Sequence, residues 1–408
     1  MTHQDELSGW TGELSKQFPH LSKPQVTVLA IYSFGTVIVR RCGLNSVALF
    51  LSVLLGRKEG ALRQQLREFF YDVKQKRGDQ RQEIDVTTCF APLLRWLLSY
   101  WPPDEKRLAL TMDASSLRQS FVVLAMSVVY RGCAIPVAWI VLPASEKGAW
   151  QPYWLALLAQ LDGVVPEDWT VIVLTDRGLY AKWLYEAIQK NGWHPLMRIN
   201  QGGKFRPQGP GRFRPLKAVV PQTGRQWCGA IDCFVTQSAR LTCTLLARWD
   251  AGYEDPWLIL TDLSPDGAQA AWYRMRSWIE GGFKDAKRGG WHWEQTKMTD
   301  PQRATRLWLV IALATLWVVR VGGEADATLP VSSLEDLPKT HIARKTRRDP
   351  VPVRRLSCFH RGQIMIVALL IKGEPIPAGN FYPEAWPSAT PHRPVEHIGY
   401  GALSVAPT

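Results

Sequence analysis

Acidic residues are scarce in this sequence. Only 36 aspartates and glutamates stand against 49 lysines and arginines, which leaves a formal net charge of +13 over 408 residues. A surplus of that size favours a polyanionic partner. Nucleic acid is favoured over an acidic membrane surface, because arginines, tryptophans and tyrosines are interleaved along the chain.

Paired cysteines and a secretion signal are also missing. The seven cysteines are scattered, odd in number and without a CxxC pair, which argues against a disulfide framework and is typical of a reduced cytoplasmic protein. The first ten residues, MTHQDELSGW, contain no basic start followed by an apolar run. We therefore expect a cytoplasmic location.

No apolar run is long enough to predict a membrane span. Residues 26–39 end at two arginines, and residues 307–319 fall short of the roughly 20 apolar residues that a spanning helix needs. Both stretches predict buried helices, and no membrane partner is expected. The 46% hydrophobic content excludes a wholly disordered chain.

Residues 1–104 have the periodicity of an all-helical unit. Two of its predicted helices meet at Gly56 and resemble a helix-turn-helix, with Arg63 and Arg67 on the outer face of the second helix. A plain helical hairpin that never contacts DNA fits the same pattern. The predicted helices cover residues 23–40, 45–55, 58–71 and 87–100.

After residue 104 the pattern changes to strands that alternate with helices. Asp113 lies at the end of the first strand and Asp176 ends the fourth, where ligands gather in α/β sheets. An aspartate that only forms a turn or caps a helix is the alternative interpretation. The strands cover residues 108–116, 121–132, 134–143 and 170–176, and the helices cover residues 150–161 and 179–191.

Residues 194–263 contain strand-like runs without helices and predict a β-rich insertion. One of its loops carries five basic residues and no acidic one. This composition suits contact with phosphates, and it suits a soluble hairpin tip equally well. The five residues are Lys204, Arg206, Arg212, Arg214 and Lys217.

The chain is organised around residues 271–290, which predict one amphipathic α-helix. Its polar row is either a functional site or an ordinary solvated face with ion pairs. Gly281 and Gly282 each cost a helix about 1 kcal/mol relative to alanine, which favours a close approach of another backbone here. The expected core face consists of Trp272, Met275, Ile279, Phe283 and Ala286, and the polar row consists of Tyr273, Arg276, Glu280 and Lys287.

A carboxylate flanked by cations suggests phosphoryl-transfer chemistry. Carboxylates hold divalent metal ions, and cations hold phosphate. Such a site needs further acidic ligands, and Asp113 and Asp176 at the strand ends supply them.

The last part of the sequence becomes basic. A long apolar helix is predicted over residues 301–321, and residues 339–361 then contain eight lysines or arginines and one aspartate. A short apolar helix over residues 364–371 precedes a proline-rich end, which we expect to be ordered only by a partner.

The spacing of the polar row resembles that of a known family. The row matches the Y-(2)-R-(3)-E-(6)-K signature of the DDE transposases of cut-and-paste insertion sequences. Its four residues are Tyr273, Arg276, Glu280 and Lys287, with two, three and six residues between them. The similarity extends from about residue 108 to residue 321.

The resemblance implies an α/β fold with an RNase H-like catalytic domain that a β-strand insertion interrupts. An all-helical N-terminal domain precedes the catalytic domain. The implied division is a helical domain for DNA end binding (1–104), two catalytic parts (105–193 and 264–322), the insertion (194–263) and a basic C-terminal region for dimerisation or DNA contact (323–408).

The same resemblance implies the chemistry. Asp113, Asp176 and Glu280 are expected to be the catalytic acids and to hold two Mg²⁺ ions, which Mn²⁺ can replace. These ions would activate water or a 3′-hydroxyl for attack on a DNA phosphodiester. Excision is expected to proceed through a hairpin intermediate, followed by strand transfer into target DNA.

Further residues are expected to bind DNA. Tyr273, Arg276 and Lys287 would hold the phosphate near the transposon end. Trp257 would stack on the base displaced at a hairpin, although a core tryptophan of a strand fits that position too. Contacts are also expected from Lys284, Arg177, Arg206, Arg212 and Arg214.

The implied partners are double-stranded DNA and a second copy of the chain. The DNA comprises the terminal inverted repeats and the target, and the assembly is expected to be a homodimer. The expected location is cytoplasmic and nucleoid-associated. Two other functions remain open: an RNase H-like nuclease that cuts DNA structures without joining strands, and a non-catalytic DNA-binding regulator derived from a transposase.

Overall fold

The computed structural model describes residues 3–76, 82–146, 148, 150–327 and 356–388. These residues form a mixed α/β fold with a helical N-terminal region, so the predicted fold class is confirmed. The N-terminal helices are α1 (His3–Gln17), α2 (Lys23–Val39), α3 (Leu44–Leu55), α4 (Glu59–Glu68) and α5 (Phe90–Ser99).

Helix α1 is absent from the sequence prediction. It buries Leu7, Trp10 and Leu14, whose spacing of three and four residues places them on one face. Polar and charged residues occupy the other positions of the helix, and they mask this narrow apolar stripe.

The first half of the sheet contains three antiparallel strands and two parallel ones. Strands β1 (Arg107–Leu117), β2 (Phe121–Tyr130) and β3 (Cys133–Pro143) form the predicted meander. Helix α6 (Gln151–Gln160) leads to β4 (Thr170–Thr175), and α7 (Lys182–Lys190) leads to β5 (His194–Arg198). Both β4 and β5 run parallel to β1, in the order β3-β2-β1-β4-β5.

The strands of the predicted insertion continue this same sheet. Strand β10 pairs antiparallel with β5, and the order then runs β10-β9-β8-β6-β7, giving ten strands in one sheet. The expectation of strands without helices over residues 194–263 is wrong at one place, where Leu216–Ala218 form a short 3₁₀-helix. The strands are β6 (Lys204–Pro207), β7 (Arg214–Pro215), β8 (Gln226–Cys233), β9 (Leu241–Arg248) and β10 (Trp257–Thr261).

Helices α8 (Trp278–Ala286) and α9 (Pro301–Ala325) pack on the meander. Helix α9 also packs on α2 and on α10 (Cys358–Lys372), which joins the N-terminal helices and the sheet in one core. Among the described helices, α9 has the length and apolarity of a membrane span, but its apolar window is entirely buried inside the protein. It behaves as the buried helix that the sequence predicts.

Residues 271–290 do not form a single α-helix. A 3₁₀-helix (Ala270–Ser277) precedes α8, which ends before Lys287. Three residues per turn bring side chains at positions i and i+3 into line, so Tyr273 and Arg276 stay on one side. Four of the five predicted core residues are buried, whereas Trp272 is only half-buried.

The proline-rich end packs on its own chain. Phe381 lies against the rings of Trp101 and Tyr130, and Trp386 meets Trp272 edge-on at 4.9 Å between ring centroids. The expectation that this end is ordered only by a partner is therefore wrong for residues 373–388. The aromatic contacts of Phe381 and Trp386 hold this segment on the protein, although its low hydrophobicity does not predict that it packs there.

The short helix predicted over residues 364–371 is part of a longer helix, α10 (Cys358–Lys372). Most of the basic run, together with the last twenty residues, lies outside the described part of the chain. The expected roles of that run in dimerisation or DNA contact stay predictions.

The two glycines after Glu280 differ in their surroundings. A Cβ on Gly282 would lie 2.9 Å from the Cβ of Ala134 and 3.1 Å from its carbonyl oxygen on β3, whereas a Cβ on Gly281 would meet only the carbonyl oxygen of Gly132, at 3.7 Å. The close approach that the pair predicts therefore occurs at Gly282.

Gly282→Ala should destabilise the protein by about 1–3 kcal/mol, because α8 must move away from β3. Gly281→Ala, the matched control, should be neutral or stabilising by up to about 1 kcal/mol, since alanine favours a helix. The midpoint of thermal unfolding measures both effects. Equal midpoints for the two variants would contradict this account of the packing.

Candidate active site

Three acidic side chains meet at one edge of the sheet. Asp176 follows β4 directly, and Glu280 lies in the first turn of α8. Asp113 lies within β1 rather than at its end, which corrects the sequence prediction. Pairing between β1 and β4 stops at Thr111 and Leu174, so β1 extends past its neighbour and carries Asp113 up to Asp176.

The guanidinium of Arg276 joins the three acids. Its Nη2 lies 2.8 Å from Oδ2 of Asp113 and 3.3 Å from Oδ2 of Asp176, and its Nη1 donates to Oε1 of Glu280. Arg276 is only 8% exposed. Arg276 and Glu280 of the polar row thus belong to an ionic cluster around a buried guanidinium, and the row is not an ordinary solvated helix face.

Backbone groups orient the two aspartates. Oδ1 of Asp113 accepts the N–H of Ala114, and Oδ1 of Asp176 accepts the N–H groups of Gly178 and Leu179. Each aspartate therefore turns its Oδ2 towards Arg276. The turn-forming role of Asp176 and its place in the site are compatible, because they use different oxygen atoms.

Burial and charge set the protonation of the cluster. Burial raises the pKa of Asp113 to about 6, and the guanidinium of Arg276 opposes this rise. The pKa of Arg276 is raised, because the charges of Asp113, Asp176 and Glu280 outweigh the opposing effect of burial. The arginine stays charged and serves as the counter-ion of the site.

Tyr273 and Lys287 attach the signature segment to the sheet. The hydroxyl of Tyr273 donates to the carbonyl oxygen of Thr175 at 3.1 Å. Nζ of Lys287 donates to Oγ of Ser115 and to the carbonyl oxygen of Ser116, each at 2.7 Å. Lys287 lies beyond the end of α8, so it contacts β1 from there and does not continue a helix row with Arg276 and Glu280.

The acids open onto two cavities. The first has a volume of about 380 Å³, and Lys284 and Lys287 line it together with all three acids. The second, of about 170 Å³, contains Asp176 and Glu280 with Trp257 and Arg177. Two residues that the sequence analysis missed, Arg198 and Tyr253, also line the second cavity.

Trp257 belongs to strand β10 and is 6% exposed. Its ring packs edge-on against Tyr253 at 5.2 Å and Tyr273 at 5.4 Å between centroids. Both interpretations of this residue are therefore represented: it is a core tryptophan of a strand, and it lines the cavity beside the acids. Its role in holding a base stays a prediction.

The arginines of the insertion loop do not line either of these cavities. Arg206 forms a two-pronged ion pair with Asp232, and its guanidinium lies over the ring of Phe213. Arg214 lies in β7 at the edge of the sheet, and Arg212 precedes it in an exposed loop. Arg177 is also paired, with Asp255 at 2.7 Å.

The acids offer donors that suit a divalent metal ion. All three supply carboxylate oxygens, which Mg²⁺ and Mn²⁺ prefer in proteins. Among the described residues, however, no three acidic, histidine or cysteine side chains lie close enough together to bind one metal ion. The acids instead surround Arg276, so the donor chemistry fits a metal ion while the guanidinium sets their spacing.

A third depression, which we call the basic groove, lies between the N-terminal helices and the loop before α9. It has a volume of about 580 Å³, and Arg41, Arg67, Lys297 and Arg303 line it. The sequence analysis identified only Arg67. The others come from separate segments, so only the folded chain brings them together.

Asp285 is a buried acid that the cluster does not use. Its side chain has no hydrogen-bond partner among the described residues, and burial raises its pKa to about 7. The folded protein therefore binds this proton more tightly than the unfolded chain does. Stability is lost as the pH rises from about 4 to about 7, and the loss is constant above that range.

Asp285→Asn should remove this loss. Its advantage over the wild type should grow from pH 4 to pH 7 and then level off, at no more than about 4 kcal/mol, the value that corresponds to a pKa difference of about 3. Urea unfolding between pH 4 and pH 8 measures it. The exposed Asp162→Asn is the control, and a constant Asp285→Asn effect across this range would contradict the prediction.

Comparison with known proteins identifies the central part of the chain. The family model of the transposase DDE domain matches residues 109–317, just over half of the chain. No protein of curated function matches the sequence. Among solved structures, the cryo-EM structure of a piggyBac transposase synaptic complex with hairpin DNA has a TM-score of 0.37 and 10% identity, over 90% of this chain and 79% of that chain.

Proposed function

This chain belongs to the family of transposases with a DDE domain, and from that premise we propose that it excises and integrates an insertion sequence. Asp113, Asp176 and Glu280 are the catalytic acids of this proposal. The observation that carries it is the meeting of three carboxylates around one buried cation. They come from β1, from the residue directly after β4, and from α8. All three lie inside the family match.

Members of this family generally use divalent metal ions, and the three carboxylates are the residues that would hold them here. Two Mg²⁺ ions, or Mn²⁺ in their place, would supply the charge that activates an attacking oxygen and stabilises a leaving one. The protein orients its acids through the backbone N–H groups at Ala114, Gly178 and Leu179. This arrangement keeps one oxygen of each aspartate directed into the site.

Cations around the acids are suited to a phosphodiester. Lys284 is exposed and lines the first cavity, while Lys287 is held against β1 at the same wall. Arg276 contributes a guanidinium, whose planar fork matches two phosphate oxygens. We assign the scissile phosphate to the first cavity on these grounds.

The basic groove supports DNA binding by the helical domain. In the described part of the chain, the side chains of Arg41, Arg67 and Lys297 have no hydrogen-bond or ion-pair partner, whereas Arg303 donates to Gln75 and lies over the ring of Tyr71. Free cations spaced along a groove suit the repeated charges of a DNA backbone.

The basic groove is connected to the first cavity, beside the three acids, through one turn of the chain. Lys287 lines the first cavity, and its carbonyl oxygen accepts the N–H of His292, which lines the groove. The N–H of Cys42 in turn donates to the carbonyl oxygen of Trp291. The duplex that carries the scissile phosphate is therefore proposed to continue along the groove.

The remaining parts of the proposal rest on the signature and on the charge of the chain. They are a hairpin intermediate at the transposon ends, with Trp257 at the displaced base, a homodimer on paired inverted repeats, and a cytoplasmic, nucleoid-associated location. Further contacts to DNA are assigned to Arg177, Arg206, Arg212 and Arg214.

A cleavage assay tests the proposed function. The full-length protein is incubated with Mg²⁺ and DNA that carries the inverted repeats flanking its gene, and products are separated on a denaturing gel. Hairpinned ends and joined strands are expected. Cuts without joining would favour the structure-specific nuclease, and binding without cleavage would favour the regulator.

A further inference from the structure

One guanidinium serves all three acids of the candidate active site. Arg276 donates to Asp113 and to Glu280, and it lies within ion-pair distance of Asp176. Within the described residues, its Nε is buried without a hydrogen-bond partner. The cluster is therefore complete in the DNA-free protein, with an internal cation in its centre.

A divalent metal ion would compete with Arg276 for the same atoms. Oδ2 of Asp113 and Oδ2 of Asp176 share a single nitrogen, Nη2 of Arg276. An ion bound by both oxygens would have to take the place of that nitrogen. Two positive groups cannot share so small a space without strong repulsion, so the metal and the guanidinium exclude each other.

Arg276 needs another anion if it is to leave the acids. Its charge is largely shielded from water, and loss of the carboxylates would leave it uncompensated. The residue lines both cavities, so its side chain adjoins the space where DNA is proposed to bind. A phosphate there offers the guanidinium the oxygen pair that it gives up.

We propose that Arg276 exchanges partners when DNA binds, moving from the three carboxylates to a DNA phosphate and so admitting the divalent metal ion. This inference rests on the proposed function and adds its regulation. Metal and DNA then bind cooperatively, because each favours the same displaced state of Arg276. The free protein then binds metal weakly, because Arg276 holds the acids.

Metal binding to the DNA-free protein provides the test. Mn²⁺ affinity is measured by electron paramagnetic resonance at pH 8, where protons compete least with the metal for carboxylates. Arg276→Ala and the size-conserving Arg276→Gln should each bind Mn²⁺ at least about tenfold more tightly than the wild type. Arg276→Lys, which keeps the charge, should bind it as weakly as the wild type.

Arg274→Ala is the matched control. This arginine lies in the same 3₁₀-helix but pairs with Asp250, away from the acids. Its removal should leave Mn²⁺ affinity unchanged. Equal Mn²⁺ affinities for the wild type, Arg276→Ala and Arg276→Gln would overturn the proposal.

The wild type alone gives a second test, which does not depend on how the variants fold. A short inverted-repeat duplex should tighten Mn²⁺ binding by at least about tenfold, and unchanged affinity would overturn the proposal. The DNA-free comparison stays informative if the wild type proves unable to cut DNA. In that case the proposed function fails, but the Mn²⁺ affinities of the DNA-free variants still test the counter-ion role of Arg276.

Discussion

Replacement of any one of the three acids of the candidate active site by its amide should abolish DNA cleavage. Asp113→Asn, Asp176→Asn and Glu280→Gln are each expected to lower the cleavage rate by at least about a thousandfold, because an amide is a poor metal ligand and carries no charge. The amides keep an oxygen that can accept a hydrogen bond from Arg276, so the fold should survive. DNA binding should be unchanged or tighter, since one negative charge near the phosphates is gone.

Glu254→Gln is the control for these variants. Glu254 is exposed and lines the second cavity, so the change removes the same charge from the neighbourhood without touching the ionic cluster. It should cut at the wild-type rate. Persistent cleavage in all three acid variants would remove these residues from the mechanism, and persistent biological function without cleavage would support the regulator.

Much of the sheet around the candidate active site can be predicted from the sequence, because its strands are continuous apolar runs bounded by turn residues. The sequence predicts strands β1 to β4 within one or two residues of their observed ends. It places Asp176 as the last residue of the fourth strand, and in the structure Asp176 directly follows β4. Asp113 was misplaced at a strand end, because its exposure depends on where the neighbouring strand stops. The sequence around Asp113 does not indicate where that neighbouring strand ends.

Other features depend on contacts between distant segments. Residues 194–263 are predicted as a β-rich insertion, and strands β5 to β10 lie in it. They continue the sheet through the pairs β4–β5 and β5–β10, and the sequence does not predict this pairing. The 3₁₀-helix before α8 was missed because its apolar spacing also fits an α-helix. The central position of Arg276 requires Asp113, 163 residues earlier in the chain, and no periodicity predicts that.

Removal of the free cations from the basic groove should weaken DNA binding and make it less sensitive to salt. Each phosphate contact contributes about 0.9 to the slope of log affinity against log salt concentration. The combined change Arg41→Ala, Lys297→Ala and Arg67→Ala should therefore reduce the slope by about 3 if each side chain holds one phosphate. Affinity at moderate salt should fall on the order of tenfold to a hundredfold.

A charge-matched variant separates the groove from the general charge of the chain. Lys16→Ala, Lys23→Ala and Lys190→Ala remove the same charge from exposed positions on α1, α2 and α7. Fluorescence anisotropy over a range of salt concentrations compares both variants with the wild type. A groove that follows the DNA backbone predicts a reduced slope only for the groove variant. Equal losses in both variants would mean that net charge alone attracts the DNA, and the helical domain would then have no defined path for the duplex.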